Sequence, residues 1–582
     1  MANQKKTFNS RDWQLITRFA KYFKPHKKWL AFSLLSIPIT TGASLAFLYL
    51  VQSIIDDYII PGNTDGLKWQ VLMLLFVLVL NILFDGIYSY SFVKAGGLTI
   101  VDVRKKMFAK AIRFPSKYYD KNPIGITLSR LTSDMDAIAE SFATGILGLF
   151  ADSIKTIVLL VYLSYINWQL TLVLMLVVPV IIMVIRFLRK KMRKAYFTAR
   201  SGLAKSAAYL QESLNGMKTV QLYAAEEEVF HKYDQLNKDF CDAQNHSNVY
   251  DSVLYSIIDG ITTVATALVL GFGAYQIWGG NLSMGVLIVF ITTLERLFIP
   301  VRQFAQQIST IQRALSSLEH VSELFDTEVE EEGDTSPFIL ETIEFKHVYF
   351  RYNKDADDVL IDVSFTLRKG DRLALVGTTG SGKSTIIKVL AKSYTGYRGS
   401  IKINGIELRD ISIHQLRKTI SVMQQDIFMF NDSIGFNIAL GRKGITDIDV
   451  KQAAEFVYAD QFIEKLPDTY NYRVHDNGGN LSKGQAQLIS FARAIAGNSE
   501  LIILDEATSS VDSITEQYIQ QAIANIFEQK TVIAVAHRLS TIRNSDLILV
   551  LDRGEIIERG NHDELLQLNG KYAQLVQQLK EE

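Results

Sequence analysis

The sequence predicts an α-helical membrane bundle of six transmembrane helices, followed by an α/β domain built around a phosphate-binding loop. The first half of its 582 residues contains apolar segments long enough to span a bilayer. The second half alternates short strand-like runs with helical ones. There, residues 377–385 carry the pattern G-x-x-x-x-G-K-S between an apolar strand and an amphipathic helix, the context that a phosphate-binding loop requires.

The composition favours a membrane protein over a nucleic-acid-binding or disulfide-stabilised one. The 61 basic and 61 acidic residues cancel, so bulk charge gives no reason to expect a nucleic-acid partner. The hydrophobic fraction of 48% favours membrane segments. The single cysteine, Cys241, excludes an internal disulfide framework and a cysteine-based metal cluster. No signal peptide is expected, because the first apolar run is long enough to span the membrane.

Residues 1–28 are predicted to contain an interfacial elbow helix that precedes the membrane domain. Trp13, Ile16, Phe19 and other apolar residues recur at helical spacing, and basic residues lie between them. Such a helix rests in the plane of the membrane interface. Pro25 is expected to end it.

Loop charge orients the membrane domain, which is predicted over residues 29–317. The loops 94–142 and 189–251 are long and rich in Lys and Arg, whereas the short linkers on the opposite side lack these residues. By the positive-inside rule, the long loops and both termini are cytoplasmic, in a plasma membrane that we expect to be bacterial. The six predicted spans are 29–54, 68–93, 143–165, 168–188, 252–276 and 282–300.

The two long loops are predicted to be coupling loops. Each has helical periodicity and a turn near its middle, at residues 115–120 and 215–226. At about 1.5 Å per residue, helix pairs of this length reach about 35–45 Å into the cytosol. We expect their tips to contact the second domain and to pass motion between it and the membrane domain. The alternative is a pair of solvated hairpins without a partner.

Three acids lie inside predicted spans: Asp85, Asp259 and Glu295. Carboxylates within a membrane are costly, and they usually face a cavity or a partner. One interpretation is a substrate site for lipophilic cations. The other is hydrogen bonding between helices, or pairing of Glu295 with Arg296 or Arg302.

Residues 318–341 are predicted to form a linker, because they include an acidic run typical of a solvated segment. The second domain covers residues 342–582 and opens with alternating apolar residues that indicate short antiparallel strands. Tyr352 ends the first of these strands. Its ring is a candidate for stacking on adenine.

The chemistry of the phosphate-binding loop explains its residue types. Glycines let backbone N–H groups close around phosphate oxygens, and the start of the following helix adds a favourable potential. Lys383 is predicted to reach the β- and γ-phosphates, and Ser384 to ligate Mg²⁺. The candidate nucleotide-binding residues of the loop are Gly377, Thr378, Thr379, Gly380, Ser381, Gly382, Lys383, Ser384 and Thr385.

Polar side chains follow three further strands. Asp505 and Glu506 come at the end of an apolar strand, His537 follows another, and Gln425 follows a third. The carboxyl ends of parallel strands face the ligand in such sheets. Asp505 suits Mg²⁺ coordination, Glu506 suits polarisation of the attacking water, and His537 is placed to reach the γ-phosphate.

Together these motifs resemble the ATP-binding cassette family, and the layout is similar to a half-transporter of the exporter type over essentially the whole chain. The resemblance implies ATP and Mg²⁺ as cofactors. It implies adenine stacking for Tyr352, Mg²⁺ sensing for Gln425, catalysis by Glu506 and a switch role for His537. It also implies that Asp512 lies in a loop at the dimer interface. The signature residues that close on the nucleotide of the opposite subunit are Ser482, Lys483, Gly484 and Gln485.

The resemblance also implies a second half-transporter as partner, because the signature must come from another cassette. Lys483 stands where the family usually has glycine, while Asp505, Glu506 and His537 match the family pattern. This combination resembles the member of a heterodimer that keeps the catalytic glutamate. The alternative is a homodimer whose signature tolerates lysine.

The expected function is ATP-driven export of lipophilic, cationic drugs or dyes. The expected partners are the lipid bilayer and small lipophilic substrates, with no nucleic acid. A lipid or peptide exporter is an alternative, and an ATP-gated channel or sensor is an alternative of another class.

Overall fold

The computed structural model describes residues 10–144, 146–330, 333, 338–353, 355–423, 426–505, 512–535 and 539–581. The chain divides into two compact units. The first unit comprises Met1–Ala111 and Gly125–Asp326, and the second unit comprises Ile112–Ile124 and Thr327–Glu582.

Helices form residues 10–326 almost throughout. They are α1 Ser10–Ala20, α2 Lys27–Ser53, α3 Leu67–Ala111, α4 Ser116–Lys121, α5 Ile124–Leu131, α6 Ser133–Thr144, α7 Ile146–Ile166, α8 Trp168–Asn215, α9 Met217–Leu222, α10 Glu226–Trp278 and α11 Met284–Asp326.

Six of these helices, α2, α3, α7, α8, α10 and α11, cover the six predicted spans. Within the described residues, four continuous helical stretches are long and apolar enough to cross a membrane. Met284–Leu294 is a shorter apolar segment at the start of α11. Helices α3, α8 and α10 have 45, 48 and 53 residues, so each continues well beyond a bilayer as the predicted loop arms require.

The core of the first unit is apolar and joins several spans. Leu48 of α2, Leu163 of α7, Leu170 of α8 and Phe290 of α11 are fully buried in one cluster. These four helices therefore contribute to one apolar core.

The elbow region differs from the predicted single helix. Helix α1 ends at Ala20, and Lys21–His26 form a 3₁₀ turn that contains Pro25. Proline lacks the N–H that would continue an α-helix, and a tighter turn accommodates it. Arg18 of α1 donates both guanidinium arms to Asp326, the last residue of α11, at 2.7 and 2.8 Å.

The predicted end of the membrane domain shifts, and the tip of its first long loop groups with the second unit. Helix α11 continues to Asp326, so residues 318–326, which were predicted to belong to the linker, are helical. Leu318, Val321 and Leu324 are buried at helical spacing, which explains this extension. Residues 112–124, the tip of the first long loop, group with the second unit. The tip of the second long loop is α9 and belongs to the first unit.

The second unit contains two sheets. The four-stranded sheet has the order β2-β1-β4-β5 with antiparallel pairs, as the alternation predicts. The six-stranded sheet has the order β10-β9-β3-β8-β7-β6, in which only β10 is antiparallel to its neighbour. The strands are β1 Thr342–Phe350, β2 Leu360–Arg368, β3 Arg372–Gly377, β4 Arg398–Ile403, β5 Ile406–Glu407, β6 Ile420–Met423, β7 Leu501–Asp505, β8 Thr531–Val535, β9 Leu547–Asp552 and β10 Glu555–Gly560.

Helices cover the parallel sheet and form a helical subdomain. Ile489 and Ile502 are fully buried in the core that joins this subdomain to the sheet. The helices of the second unit are α12 Lys383–Leu390, α13 Ile413–Thr419, α14 Ile434–Ala439, α15 Asp447–Phe456, α16 Asp460–Ile463, α17 Lys483–Ile495, α18 Ser513–Gln529, α19 Leu539–Arg543, α20 His562–Gln567 and α21 Lys571–Glu581.

Candidate nucleotide-binding site

The phosphate-binding loop connects β3 to α12, as predicted. Gly382 precedes the first helical residue with φ +106°, and it offers no side chain to cap the helix. A Cβ on Gly377 would lie 2.3 Å from the carbonyl oxygen of Leu551. The loop therefore passes close to β9 and leaves the start of α12 open to an anion, which fits a nucleotide phosphate chain.

Lys383 is held against its own loop. Its ammonium group donates to the carbonyl oxygens of Gly377 and Thr378 at 2.7 and 2.9 Å. Burial lowers the pKa of Lys383, while the charge of Asp505 acts in the opposite direction. Ser384, in the next position, is exposed. The lysine and the serine therefore fit phosphate and Mg²⁺ binding, respectively.

The strand order places the carboxyl ends of β3, β7 and β8 side by side, as predicted. In the parallel sheet, Asp505 of β7 lies opposite Val535 of β8, and Val535 lies opposite Leu375 of β3. Asp505 is thus at the same sheet edge as the phosphate loop. Glu506, His537 and Gln425 follow the ends of β7, β8 and β6, but they lie outside the described residues.

Tyr352 lies beside the first turn of α12. Its hydroxyl shares a hydrogen bond of 3.1 Å with Oγ1 of Thr385. Its ring meets the rings of Phe350 and Tyr394 edge-on, each at a centroid distance of 5.0 Å. An aromatic side chain in this position fits an adenine platform.

The signature segment starts a helix, as the motif predicts. Ser482 accepts a hydrogen bond from the backbone N–H of Gln485, and the Gln485 side chain accepts one from the N–H of Ser482. This capping box places Lys483 as the first residue of α17. Ser482 and Lys483 are exposed, whereas Gly484 is buried.

Asp512 caps α18 through a 3.0 Å hydrogen bond from the N–H of Thr515. This bond lowers the pKa of Asp512. Asp512 therefore caps a helix, in addition to the position at the dimer interface that the family resemblance implies.

Two of the intramembrane acids have described side chains. Asp85 on α3 forms a 3.1 Å ion pair with Lys155 on α7. Asp259 on α10 is exposed, and its backbone carbonyl accepts a hydrogen bond from Thr263. The side chain of Glu295 lies outside the described residues. Lys155 is not among the candidate residues predicted from the sequence, although a lysine within a predicted span is the same kind of signal as the three acids.

Comparisons with known proteins agree with this geometry. The family model for the ABC transporter transmembrane region matches residues 30–301, and the ABC transporter model matches residues 360–509. The chain is 33% identical to the uncharacterized ABC transporter ATP-binding protein YknV of Bacillus subtilis, over 98% of this chain and 95% of that protein. It is 31% identical to an ATP-dependent lipid A-core flippase of Thiobacillus denitrificans, over 96% of this chain and 97% of the relative.

A solved structure also matches the chain over nearly its full length. The structure of a bacterial Atm1-family ABC exporter with ATP bound matches 95% of this chain and 98% of its own, with a TM-score of 0.77 and 26% identity. Family models match both halves of the chain, and relatives align over nearly its full length. The chain therefore belongs to the ABC transporter family, as a membrane exporter whose transmembrane region and ATP-hydrolysing domain share one polypeptide.

Proposed function

We propose that this transporter exports lipid-like amphiphiles whose headgroups carry charge of both signs. The observation that carries the proposal is a mixed-charge cluster within the spans, formed by Asp85, Tyr88, Asp152 and Lys155. It adds a lysine to the set of intramembrane acids, which alone suggest a cationic substrate.

The cluster joins two spans. Lys155 of α7 contacts Asp85 of α3 at 3.1 Å, and its ammonium group lies 6.0 Å from the ring centroid of Tyr88. Asp152 is one helical turn before Lys155 and interacts with it electrostatically. Charges inside a bilayer persist where they pair with each other or with a polar ligand. A headgroup with an ammonium and a phosphate can exchange partners with such a cluster, because its ammonium can pair with a carboxylate and its phosphate with Lys155.

The relatives support a lipid-like substrate. Several are named ATP-dependent lipid A-core flippases, and they are about 31% identical over nearly the whole chain. Their name describes a lipid moved with ATP. It agrees with long apolar spans that carry a small charged cluster.

A lipophilic cation is the second candidate. The cluster has two carboxylates and one ammonium, so an added cation would balance it. Asp259 and Glu295 remain candidate substrate residues in this alternative, which is the drug or dye exporter that the sequence first favoured.

Lys155→Gln and Asp85→Asn separate the two candidates. In proteoliposomes, ATP-driven movement of fluorescent phosphatidylethanolamine and of ethidium is measured for each variant. We expect Lys155→Gln to slow the lipid about tenfold, the typical effect of one charge-assisted contact, and to leave ethidium unchanged. Lys68→Gln, at the outer start of α3, is the matched control. Loss of ethidium transport alone in Asp85→Asn would favour the cation instead.

Within this proposal, each residue of the nucleotide site has a distinct function. Tyr352 stacks on adenine, and Lys383 with the backbone of the phosphate loop holds the phosphates. Ser384, Gln425 and Asp505 would hold Mg²⁺, which would neutralise phosphate charge. Glu506 polarises water and His537 contacts the γ-phosphate. The convergence of β3, β6, β7 and β8 at one sheet edge supports this assignment.

The functional assembly is proposed to be a heterodimer with a second half-transporter. The exposed Ser482 and Lys483 at the start of α17 offer the signature to a nucleotide held by another chain. A lysine side chain adds bulk where a glycine permits close approach to phosphate. We therefore place the competent site between Glu506 of this chain and the signature of its partner.

A further inference from the structure

We propose that Tyr394 is a positioning residue that links the nucleotide side of the ATPase to the first cytoplasmic tip. The link runs from Tyr352 through Tyr394 to Asp120, and all three residues belong to the second unit. It provides a direct route by which the adenine contact and the loop from the membrane domain affect each other.

The tip side of this link is a short hydrogen bond. The phenol of Tyr394 donates to Oδ2 of Asp120 on α4 at 2.5 Å. Tyr394 is 8% exposed, and burial together with the Asp120 carboxylate raises the pKa of Tyr394. The phenol therefore stays protonated at neutral pH and remains a donor. A hydrogen bond to a charged acceptor is among the stronger polar contacts.

The rest of the tip is well anchored to the same unit. Phe114 is buried, and its ring lies 4.7 Å from that of Tyr118 on α4. The carbonyl oxygen of Arg113 accepts a 2.9 Å hydrogen bond from the N–H of Glu330. Asp120 is therefore on a short helix with defined neighbours, to which a change at Tyr394 can be passed.

The nucleotide side of the link is an aromatic contact. The rings of Tyr352 and Tyr394 are perpendicular, with centroids 5.0 Å apart. Tyr352 also bonds to Thr385, two residues after Lys383 of the phosphate loop. Stacking of adenine on Tyr352 restricts its ring, and the restricted ring in turn restricts Tyr394. This step rests on the proposed adenine contact of Tyr352.

The competing explanation is that Tyr394 only packs in the core. Tyr397 is a matched control for that explanation. Tyr397 is 3% exposed, and its phenol donates to Glu407 at 2.7 Å. It therefore resembles Tyr394 in burial and in having a carboxylate partner. Glu407 belongs to β5 of the ATPase itself, whereas Asp120 belongs to the tip.

Hydrogen exchange of the full-length transporter tests the link without a transported compound. Exchange is followed by mass spectrometry in residues 112–124 and in the phosphate loop, with and without Mg²⁺ and a non-hydrolysable ATP analogue. We expect the analogue to slow exchange in both segments of the unmodified protein. In Tyr394→Phe, which keeps the ring, protection of the tip should fall about tenfold while that of the phosphate loop persists.

Further variants decide between the explanations. Asp120→Ala should reproduce the effect, the double variant should add nothing to it, and Asp120→Asn, which keeps an acceptor, should restore most of the protection. Tyr397→Phe should behave like the unmodified protein. Equal tip protection in Tyr394→Phe and Tyr397→Phe, or no effect of the analogue on the tip, would overturn the link. Unchanged affinity for the analogue in Tyr352→Ala would instead reject the adenine contact.

Discussion

At the scale of single residues, backbone space constrains the phosphate-binding loop as much as side-chain chemistry does. Gly377 and Gly380 both have positive φ, at +154° and +83°. A Cβ on Gly377 would collide with backbone of β9, whereas a Cβ on Gly380 would meet nothing within 4 Å. A side chain would therefore cause backbone strain at both positions, but steric collision at Gly377 alone.

This contrast predicts unequal effects of two alanine substitutions. Gly380→Ala should cost about 1–2 kcal/mol through backbone strain alone. Gly377→Ala should cost about 2–5 kcal/mol, because overpacking against Leu551 adds to the strain. Thermal unfolding and ATP affinity of the two variants provide the measurement. Equal losses would mean that the close approach of β3 to β9 does not constrain the loop.

At the scale of elements, the start of α11 depends on a residue from another helix. Asp56 lies in the π-helical segment Ile54–Ile59, which directly follows α2. Its carboxylate accepts hydrogen bonds from the hydroxyl of Ser283 at 2.5 Å and from the N–H of Gly285 at 2.8 Å. This contact satisfies an otherwise unpaired donor of the helix and ties the outer end of α2 to α11.

Removal of this cap should destabilise the first unit. Asp56→Ala is expected to cost about 1–2 kcal/mol, as for other helix caps. The measurement is thermal unfolding of the purified transporter, followed by tryptophan fluorescence. Asp57→Ala is the matched control, because Asp57 is exposed and bonds to Ser53 within its own helix. The cap has no importance if both variants melt at the same temperature.

At the scale of the whole molecule, we propose that a second chain completes the ATPase. The phosphate loop and the signature are both present here, but the family pattern joins each to its counterpart on a second cassette. Lys483 is exposed at the first position of α17, so its side chain would contact a nucleotide that binds at the start of that helix. The proposed heterodimer follows from this position and from the intact catalytic residues.

Co-expression tests this assembly. We expect ATP hydrolysis to rise at least about tenfold when the chain is purified with a half-transporter that has a glycine signature and no catalytic glutamate. Lys483→Gly should raise hydrolysis by the chain alone, because it restores close approach to phosphate. Full hydrolysis and export by the unmodified chain alone would establish a homodimer.

Much of this architecture could be predicted from local patterns in the sequence. The six spans, the strands of the ATPase, the phosphate loop and the capped signature helix each depend on a short run of residues. Their periodicity and residue types determine burial, turns and caps without reference to the rest of the chain. The prediction was weaker at boundaries, since apolar residues in 318–326 extend α11 beyond the expected linker.

Tertiary structure alone decided which polar groups meet. The sequence singled out Asp85 but gave no reason to pair it with Lys155, 70 residues away. It placed Asp120 near a loop tip and gave Tyr394 no function, although the two are 274 residues apart and share a hydrogen bond. Such pairs depend on the rotation and register of separate helices. Periodicity determines which face of a helix is buried, whereas packing between elements determines what that face contacts.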